Sequence, residues 1–365
     1  MLTGVERVVA LVAVASLAAG ITGATHLHPR PAAAREPVVT TTVTRPLPTP
    51  SPTAVAVPKP QPVPKPRVIE ADRPLPAAPP LTGCPVRPST GGGNPRPLPA
   101  PAVAEAALPG PVPVRTKASS LDAVRGKGLW VTPFGKTPLN VAAVLAHARS
   151  SHVRSIWVRT GGTRQGYYGN QFLGPLVARA HAAGLRVIAW DFPFLSDPVA
   201  DARRAQAALA AGVDGFSPDV ETRAEGTYLT SRRLALYLSL VRAYAGNRPV
   251  VATVPRPSSA RATYPYAAFR PYADVFAPMV YWSCKEPGAV TQAAIRQLGR
   301  LLPVAPVGQG YDMGPEGGRR GTPSRAETLR FLDAARRSGA IGASLWTLEE
   351  AGRPQLTALG DYRWR

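Results

Sequence analysis

Short apolar runs alternate with amphipathic stretches along the chain from residue 127 onwards. The apolar runs are of strand length, and they cover 128–134, 153–160, 185–192, 213–221, 249–255, 274–282, 304–311 and 342–348. The stretches between them predict helices over 138–149, 171–183, 197–211, 231–245, 291–302 and 324–337, with a weaker helix over 264–272. Within 324–337, for example, Leu329, Leu332 and Ala335 recur at the three-residue spacing of one helix face.

Eight alternating strands and helices predict an α/β fold, a (β/α)8 TIM barrel over residues 116–365. An open, doubly wound sheet is the alternative, and it would place a glycine-rich phosphate loop after the first strand. Residues 128–133 read GLWVTP, which is no such loop. The pattern therefore favours the barrel, whose functional groups would lie at the carboxyl ends of its strands.

Residues 1–28 have the layout of an export or anchoring signal. Glu6 and Arg7 precede an uncharged apolar run over 8–24, which is at the short edge of what spans a bilayer. A cleaved signal peptide and a transmembrane anchor remain open, and the weakly basic start favours the anchor. Both place the rest of the chain outside the cytoplasm, secreted or anchored to the membrane through this helix.

Residues 29–115 are rich in proline and predict a disordered spacer. This segment holds 25 of the 43 prolines, several of them in alternating runs that favour extended polyproline II. It lacks the apolar residues that would offset the entropy of ordering it. An extended arm of this kind could carry a domain through a cell wall.

The charge is strongly basic, with a formal net charge of +21. Residues 116–365 contain 32 basic and 17 acidic residues, so the predicted barrel is itself basic. A basic surface favours polyanions, such as an anionic cell-wall polymer. The sequence shows no nucleic-acid-binding motif, and we predict no nucleic-acid partner.

The cysteines and histidines predict no metal site and no cofactor. The five histidines lack the spacing of paired metal ligands. Outside the cytoplasm, Cys84 and Cys284 could form a disulfide that joins the proline-rich segment to the barrel, and two unrelated free thiols are the alternative.

Acidic and aromatic residues stand at the predicted strand ends, where they suit a sugar substrate. In the fourth strand, side-chain alternation places Ser217, Asp219 and Glu221 on one face. Two close carboxylates push their pKa values apart, so that one can stay protonated as an acid. We therefore predict Glu221 as the general acid and Asp219 as the group that orients it. The alternative pairs Asp219 with an arginine and leaves Glu221 solvated.

The segment 214–221, DGFSPDVE, resembles the strand-four signature D-G-x-D-x-D-x-E of glycoside hydrolase family 18, the chitinase-like barrels. Ser217 stands where the family has its first inner aspartate. Met279-Val280-Tyr281 resembles the family's M-x-Y-D, with Trp282 in place of the aspartate. Trp346 resembles the tryptophan that floors the sugar subsite.

This resemblance implies a reaction in which Glu221 protonates the leaving oxygen while the acetamido group of the substrate attacks the anomeric carbon. Asp219 and Tyr281 would hold that acetamido group. Ser217 and Trp282 remove polar groups, which keeps open a catalytically inactive, sugar-binding barrel. A basic cell-wall scaffold is a third alternative.

The Asp-x-Glu pair is also similar to that of the family 25 muramidases, and there Asp191 would be a further site residue. We predict a hydrolase of O-glycosidic bonds in a cell-wall or extracellular polysaccharide. The expected substrate-binding residues are Asp191, Trp282, Trp346, Arg159, Tyr311 and Asp312.

Overall fold

The computed structural model describes residues 83–84, 98–114, 119–133, 139–258 and 261–364. Eight strands form the barrel, each pairing in parallel with its neighbours. They are β1 Gly126–Val131, β2 Ser155–Gly162, β3 Arg186–Phe192, β4 Gly215–Pro218, β5 Val251–Pro255, β6 Val275–Val280, β7 Val307–Gln309 and β8 Gly342–Trp346. Single bridges from Phe216 to Val250 and from Asp219 to Thr253 join β4 to β5 and close the ring. The predicted TIM barrel is confirmed.

Among the residues that the structure describes, seven α-helices cover the outside of the ring. They are α1 Val141–Ser150, α2 Leu173–Ala182, α3 Pro198–Ala210, α4 Ser231–Ala245, α5 Pro287–Leu298, α6 Arg325–Arg337 and α7 Arg353–Asp361. Polar caps fix their starts, as where Ser324 and Glu327 form a capping box on α6. The weak helix predicted over 264–272 is a short 3-10 turn, Tyr266–Phe269, since Pro271 cannot continue a hydrogen-bonded helix.

Side-chain alternation divides the core into an outer layer and a barrel interior. The interior holds four tryptophans whose rings contact one another: Trp130, Trp157, Trp190 and Trp346. The Trp130 and Trp157 rings stack with their centres 4.9 Å apart. On β1, β2, β3 and β8, the tryptophans mark which residues of the strand point inward, and therefore which side chains can reach the barrel mouth, the end formed by the carboxyl ends of the strands.

Residues 98–114 lie along the outside of α4, upstream of the barrel boundary that the sequence predicts at residue 116. The amide of Val103 donates to the carbonyl of Ser196 at 3.0 Å, and Arg233 Nε donates to Glu105 Oε2 at 2.9 Å. Leu108 is buried. This end of the proline-rich tract therefore packs on the barrel, because it carries apolar and acidic residues that match α4.

Residues 83–84 contact loops at the barrel mouth. Cys84 forms a disulfide with Cys284 in the loop after β6, with 5.7 Å between their Cα atoms. The carbonyl of Gly83 accepts a hydrogen bond from the amide of Arg320, in the loop after β7. The predicted signal or anchor and most of the predicted spacer lie outside the described residues. Within the part of the chain that the structure describes, no helix combines the length and apolar character needed to cross a bilayer.

Candidate active site

The end of β4 carries the two predicted carboxylates into the barrel. Phe216 and Val220 pack in the outer layer, so Ser217 and Asp219 point inward and Glu221 follows on the same side. The Ser217 hydroxyl donates to the carbonyl of Val251 at 2.8 Å and contacts the Thr253 hydroxyl at 2.7 Å. Ser217 therefore fills the floor below the acids.

Asp219 is buried in the interior with one oxygen that lacks a partner among the described residues. Its side chain is 5% exposed, and its Oδ1 accepts no hydrogen bond there. Burial is the largest effect that raises the pKa of Asp219, which reaches about 7. The positive charge of Arg159 lowers this pKa, and the negative charges of Asp191 and Glu225 raise it.

Glu221 is half-buried at the rim, one step nearer to solvent than Asp219. Burial raises its pKa well above the ordinary value, and the charge of Asp219 raises it further. A glutamic acid in this position keeps its proton at pH values where an exposed one has lost it, which is what a general acid requires.

Tyr281 follows β6 and faces the same interior. Its ring meets the ring of Tyr311 edge to face, with centres 5.3 Å apart and planes at 84°. The Tyr311 hydroxyl donates to Glu316 Oε2 at 3.0 Å. Burial raises the pKa of Tyr281, as do the charges of Tyr311, Asp219 and Glu221, so its phenol remains a hydrogen-bond donor beside the two acids.

Trp346 and Arg159 complete the interior side of the mouth. Trp346 is half-buried at the end of β8, with its ring centre 5.2 Å from that of Trp190. The Arg159 guanidinium lies 5.1 Å above the same Trp190 ring, and its Nε donates to the carbonyl of Gly161. The exposed part of Trp346 offers a flat apolar surface to a sugar ring.

The structure does not bring Asp191 or Trp282 to the mouth. Because Trp190 points inward, Asp191 points outward, where Arg204 of α3 donates to it from Nε at 2.6 Å. Because Tyr281 points inward, Trp282 packs against Phe331 of α6, with 5.7 Å between ring centres. Because side chains alternate along each strand, Asp191 and Trp282 face the surrounding helices, while Trp190 and Tyr281 before them face the interior.

Asp312 is an exposed residue that organises the loop after β7. Its Oδ1 accepts from the amides of Gly314 and Gly321 at 2.7 and 2.8 Å. The adjoining Tyr311 is buried against Tyr281. Of the two predicted binding residues in this loop, only Tyr311 therefore contacts the interior cluster.

Loops contribute charged residues to the mouth that the sequence pattern did not identify. The charges of Glu225, Arg261 and Glu316 all shift the pKa of Glu221. They follow the strand ends by several residues, in segments with no periodicity that would indicate where a side chain points. Across 98–114, 119–133, 139–258 and 261–364, no group of three or more His, Cys, Asp or Glu residues is arranged to hold a metal ion.

No protein-family model matches the chain, and no curated protein matches it. Among solved structures, it is similar to a chitinase from Chromobacterium violaceum at 11% identity, over 65% of this chain and 98% of that one, with a TM-score of 0.49. It is similar to the glycoside hydrolase family 18 chitinase ChiB of Flavobacterium johnsoniae at 9% identity, over 66% and 96% of the two chains, with a TM-score of 0.49.

The Bacillus cereus spore cortex-lytic enzyme SleL is a further similar structure, at 12% identity over 68% of this chain and 76% of that one, with a TM-score of 0.49. A family 18 chitinase is thus among the solved structures that this chain is similar to. At these identities the comparisons assign no role to any residue.

Proposed function

We propose that this barrel is a glycoside hydrolase, with Glu221 as its general acid. The observation that carries the proposal is the pair of inward-facing acids at the mouth, Asp219 and Glu221, whose pKa values burial raises. Buried carboxyl groups with raised pKa values are characteristic of acid–base sites. Tyr281 adds a phenol donor and Trp346 a flat apolar surface, and this combination suits a pyranose substrate.

In the proposed reaction, Glu221 gives its proton to the leaving glycosidic oxygen as the bond to the anomeric carbon breaks. A water molecule finally adds to the anomeric carbon and returns a proton to the site, so that the bond is hydrolysed and Glu221 is restored. Asp219, one layer deeper, stabilises positive charge that develops on the sugar. The hydroxyl of Tyr281 donates to an oxygen of the substrate next to the reacting carbon.

A catalytically inactive, sugar-binding barrel is the second candidate, and Ser217 favours it. Ser217 stands where family 18 has an aspartate, and its hydroxyl contacts Val251 and Thr253. This position therefore supplies no carboxylate that could exchange a proton with Asp219. Trp282 likewise supplies no polar group to the interior. The basic scaffold, the third candidate, would use none of these residues.

A panel of polysaccharides and reducing-end-labelled oligosaccharides, incubated with the purified chain, separates the three candidates. A hydrolase releases new reducing ends from at least one glycan. A sugar-binding barrel retains oligosaccharides in a binding assay and releases no reducing ends. A scaffold binds anionic polymer in a salt-sensitive manner, and substitutions of Asp219 or Glu221 do not change that binding.

The Asp219→Asn variant is expected to shift the pH profile of any hydrolysis towards lower pH. The rate falls as pH rises through the pKa of Glu221, because the acid loses its proton. In the variant, the negative charge of Asp219 no longer raises that pKa, so the fall begins at lower pH. The measurement is kcat/KM against pH.

Asp197→Asn is the matched control for this charge change. Asp197 caps α3 by accepting from the amides of Val199 and Ala200, and asparagine caps helices equally well. Its pH profile should equal that of the unchanged protein. An Asp219→Asn profile with the same alkaline limb as the unchanged protein would contradict the assigned coupling.

We propose that the chain works outside the cytoplasm, on a cell-wall or extracellular polysaccharide. This part of the proposal rests on the apolar run over 8–24 and the proline-rich tract that follows it. The basic surface would favour a surrounding anionic wall polymer.

A further inference from the structure

Residues 98–114, which we call the strap, begin beside the barrel mouth. The carbonyl of Pro99 accepts a hydrogen bond from the hydroxyl of Tyr228 at 2.8 Å. Tyr228 belongs to the β4 loop, residues 219–230, which runs from the end of β4 to the start of α4 and carries Glu221. The first residues of the strap therefore contact the segment that carries the proposed acid.

Glu105 makes the second contact between the strap and the β4 loop. Its Oε1 accepts from the Thr230 hydroxyl at 2.7 Å, and its Oε2 accepts from Arg233 Nε at 2.9 Å. Thr230 is also the residue that caps α4, since its hydroxyl accepts from the amide of Arg233 at 3.2 Å. One carboxylate thus joins the strap to the last residue of the loop and to the first turn of the helix.

Arg233 binds the strap and the loop after β3 at the same time. Its side chain is only 1% exposed. Besides Glu105, its guanidinium donates to three backbone carbonyls, those of Val103, Leu195 and Ser196. The amide of Val103 donates in turn to the carbonyl of Ser196 at 3.0 Å. Because a guanidinium is planar and presents its donors in a fixed geometry, its partners are held in one relative arrangement.

The β4 loop is also bonded to the loop after β3 and to itself. The amide of Tyr228 donates to the carbonyl of Phe194 at 2.7 Å. The amide of Thr227 donates to the carbonyl of Thr222 at 3.1 Å, so the loop folds back onto the residue that follows Glu221. A restraint at the carboxyl end of the loop therefore reaches its beginning.

The direction of Glu221 is set by the β4 loop rather than by the sheet. Val220 still bonds to β5, where its amide donates to the carbonyl of Thr253 at 3.0 Å. From Glu221 onwards, the hydrogen bonds that the structure describes for this loop go to the loop itself, to the loop after β3, to the strap and to the start of α4. A restraint on the loop is therefore a restraint on Glu221.

We infer that the strap is a positioning element of the barrel mouth, and that by restraining the β4 loop it fixes where Glu221 lies. The inference rests on the proposed function for the role of Glu221, and it adds to the site a segment upstream of the eight strands. The strap acts through the loop, so its residues are positioning residues. Such restraint matters because a general acid has to lie within hydrogen-bond reach of the oxygen that it protonates.

The experiment measures hydrogen–deuterium exchange of the full chain with Glu105→Ala and Tyr228→Phe combined. These changes remove the side-chain bonds between the strap and the β4 loop and leave the three carbonyl partners of Arg233 in place. Amides over 222–230 should exchange about tenfold faster, the effect of losing two hydrogen bonds, and faster than any change in β2. Tyr228→Phe alone, which removes one bond, gives the same test with a smaller increase if the double variant does not fold.

Glu286→Ala is the matched control. It makes the same change at another exposed glutamate, which caps α5 by accepting from the amide of Ala289. Exchange should increase at the start of α5 and stay unchanged over 222–230. On a glycan that the unchanged chain hydrolyses, the double variant should lose about tenfold in kcat with little change in KM, because the loop is loosened while the ring of Trp346 is untouched.

The outcomes separate this inference from the proposed function. Unchanged exchange over 222–230, an equal increase in β2, or faster exchange over 222–230 with an unchanged kcat would overturn the inference, and Glu221-dependent hydrolysis would then leave the proposed function standing. Conversely, faster exchange confined to the β4 loop would support the restraint by the strap even if the unchanged chain hydrolysed no glycan, a result that would remove the hydrolase.

Discussion

Glu221→Gln is expected to lower kcat on a responsive glycan by about 10²- to 10⁴-fold, the usual contribution of a general acid. Glutamine has nearly the same shape and can still hydrogen-bond, but it has no proton to give to a leaving oxygen. Glu221 is the acid nearer to solvent, and burial together with the charge of Asp219 keeps its pKa raised. The loss should therefore fall on kcat rather than on folding or sugar binding.

Glu286→Gln is the matched control, because it makes the same chemical change at an exposed helix start, at a residue that is not among the charges that shift the pKa of Glu221. Its kcat should be unchanged. Thermal unfolding and oligosaccharide binding of Glu221→Gln should match those of the unchanged chain. Full turnover by Glu221→Gln would remove this residue from the mechanism, whatever the pH profile showed.

Arg204→Met is expected to lower the free energy of unfolding by about 3–5 kcal/mol, the typical cost of breaking a buried ion pair by removing one partner. Arg204 is only 10% exposed, and it binds the carboxylates of Asp191 and Asp201, each 1% exposed. Asp201 also accepts from the Thr163 hydroxyl and from the amide of Leu195. Methionine would leave two uncompensated negative charges between the barrel and α3.

The loss should depend on pH. Burial already raises the pKa of Asp201 in the unchanged protein, against the lowering effect of Arg204. Without that arginine, the folded-state pKa of Asp201 rises further above its unfolded-state value, so folding favours protonation of this residue. The deficit is therefore largest at neutral pH and shrinks as pH falls towards the unfolded-state value.

Urea unfolding of Arg204→Met at several pH values measures this effect. Arg203→Met, one residue away on the exposed side of α3, is the control and should change stability by less than about 0.5 kcal/mol. A pH-independent loss in Arg204→Met would point to lost packing instead of uncompensated charge.

The barrel could be predicted from the sequence because its apolar runs of strand length and its amphipathic stretches of helix length are both clear. Apolar runs such as 185–192 and amphipathic stretches such as 324–337 alternate clearly enough to count eight units. The start of α6 was also readable, since Ser324 and Glu327 have the spacing of a capping box. Alternation within 217–221 correctly indicated that Asp219 faces the interior with Ser217.

The positions of single residues at strand ends were harder to predict, because a shift of one residue exchanges the two sides of a strand. Asp191 and Trp282 each follow an inward-facing aromatic residue and so face the helices. Glu225 and Glu316 reach the mouth from loops, where tertiary contacts alone decide the direction of a side chain. Residues 98–114 pack on α4 through contacts such as that of Glu105 with Arg233, which local composition does not reveal.

The Cys84–Cys284 bond fixes a short upstream segment against the barrel. Cys284 lies in a loop beside the open end of the ring, so Gly83 and Cys84 are held at that end and not at the opposite face. On the proposed function, a glycan that enters the mouth would pass beside the Cys84–Cys284 bond.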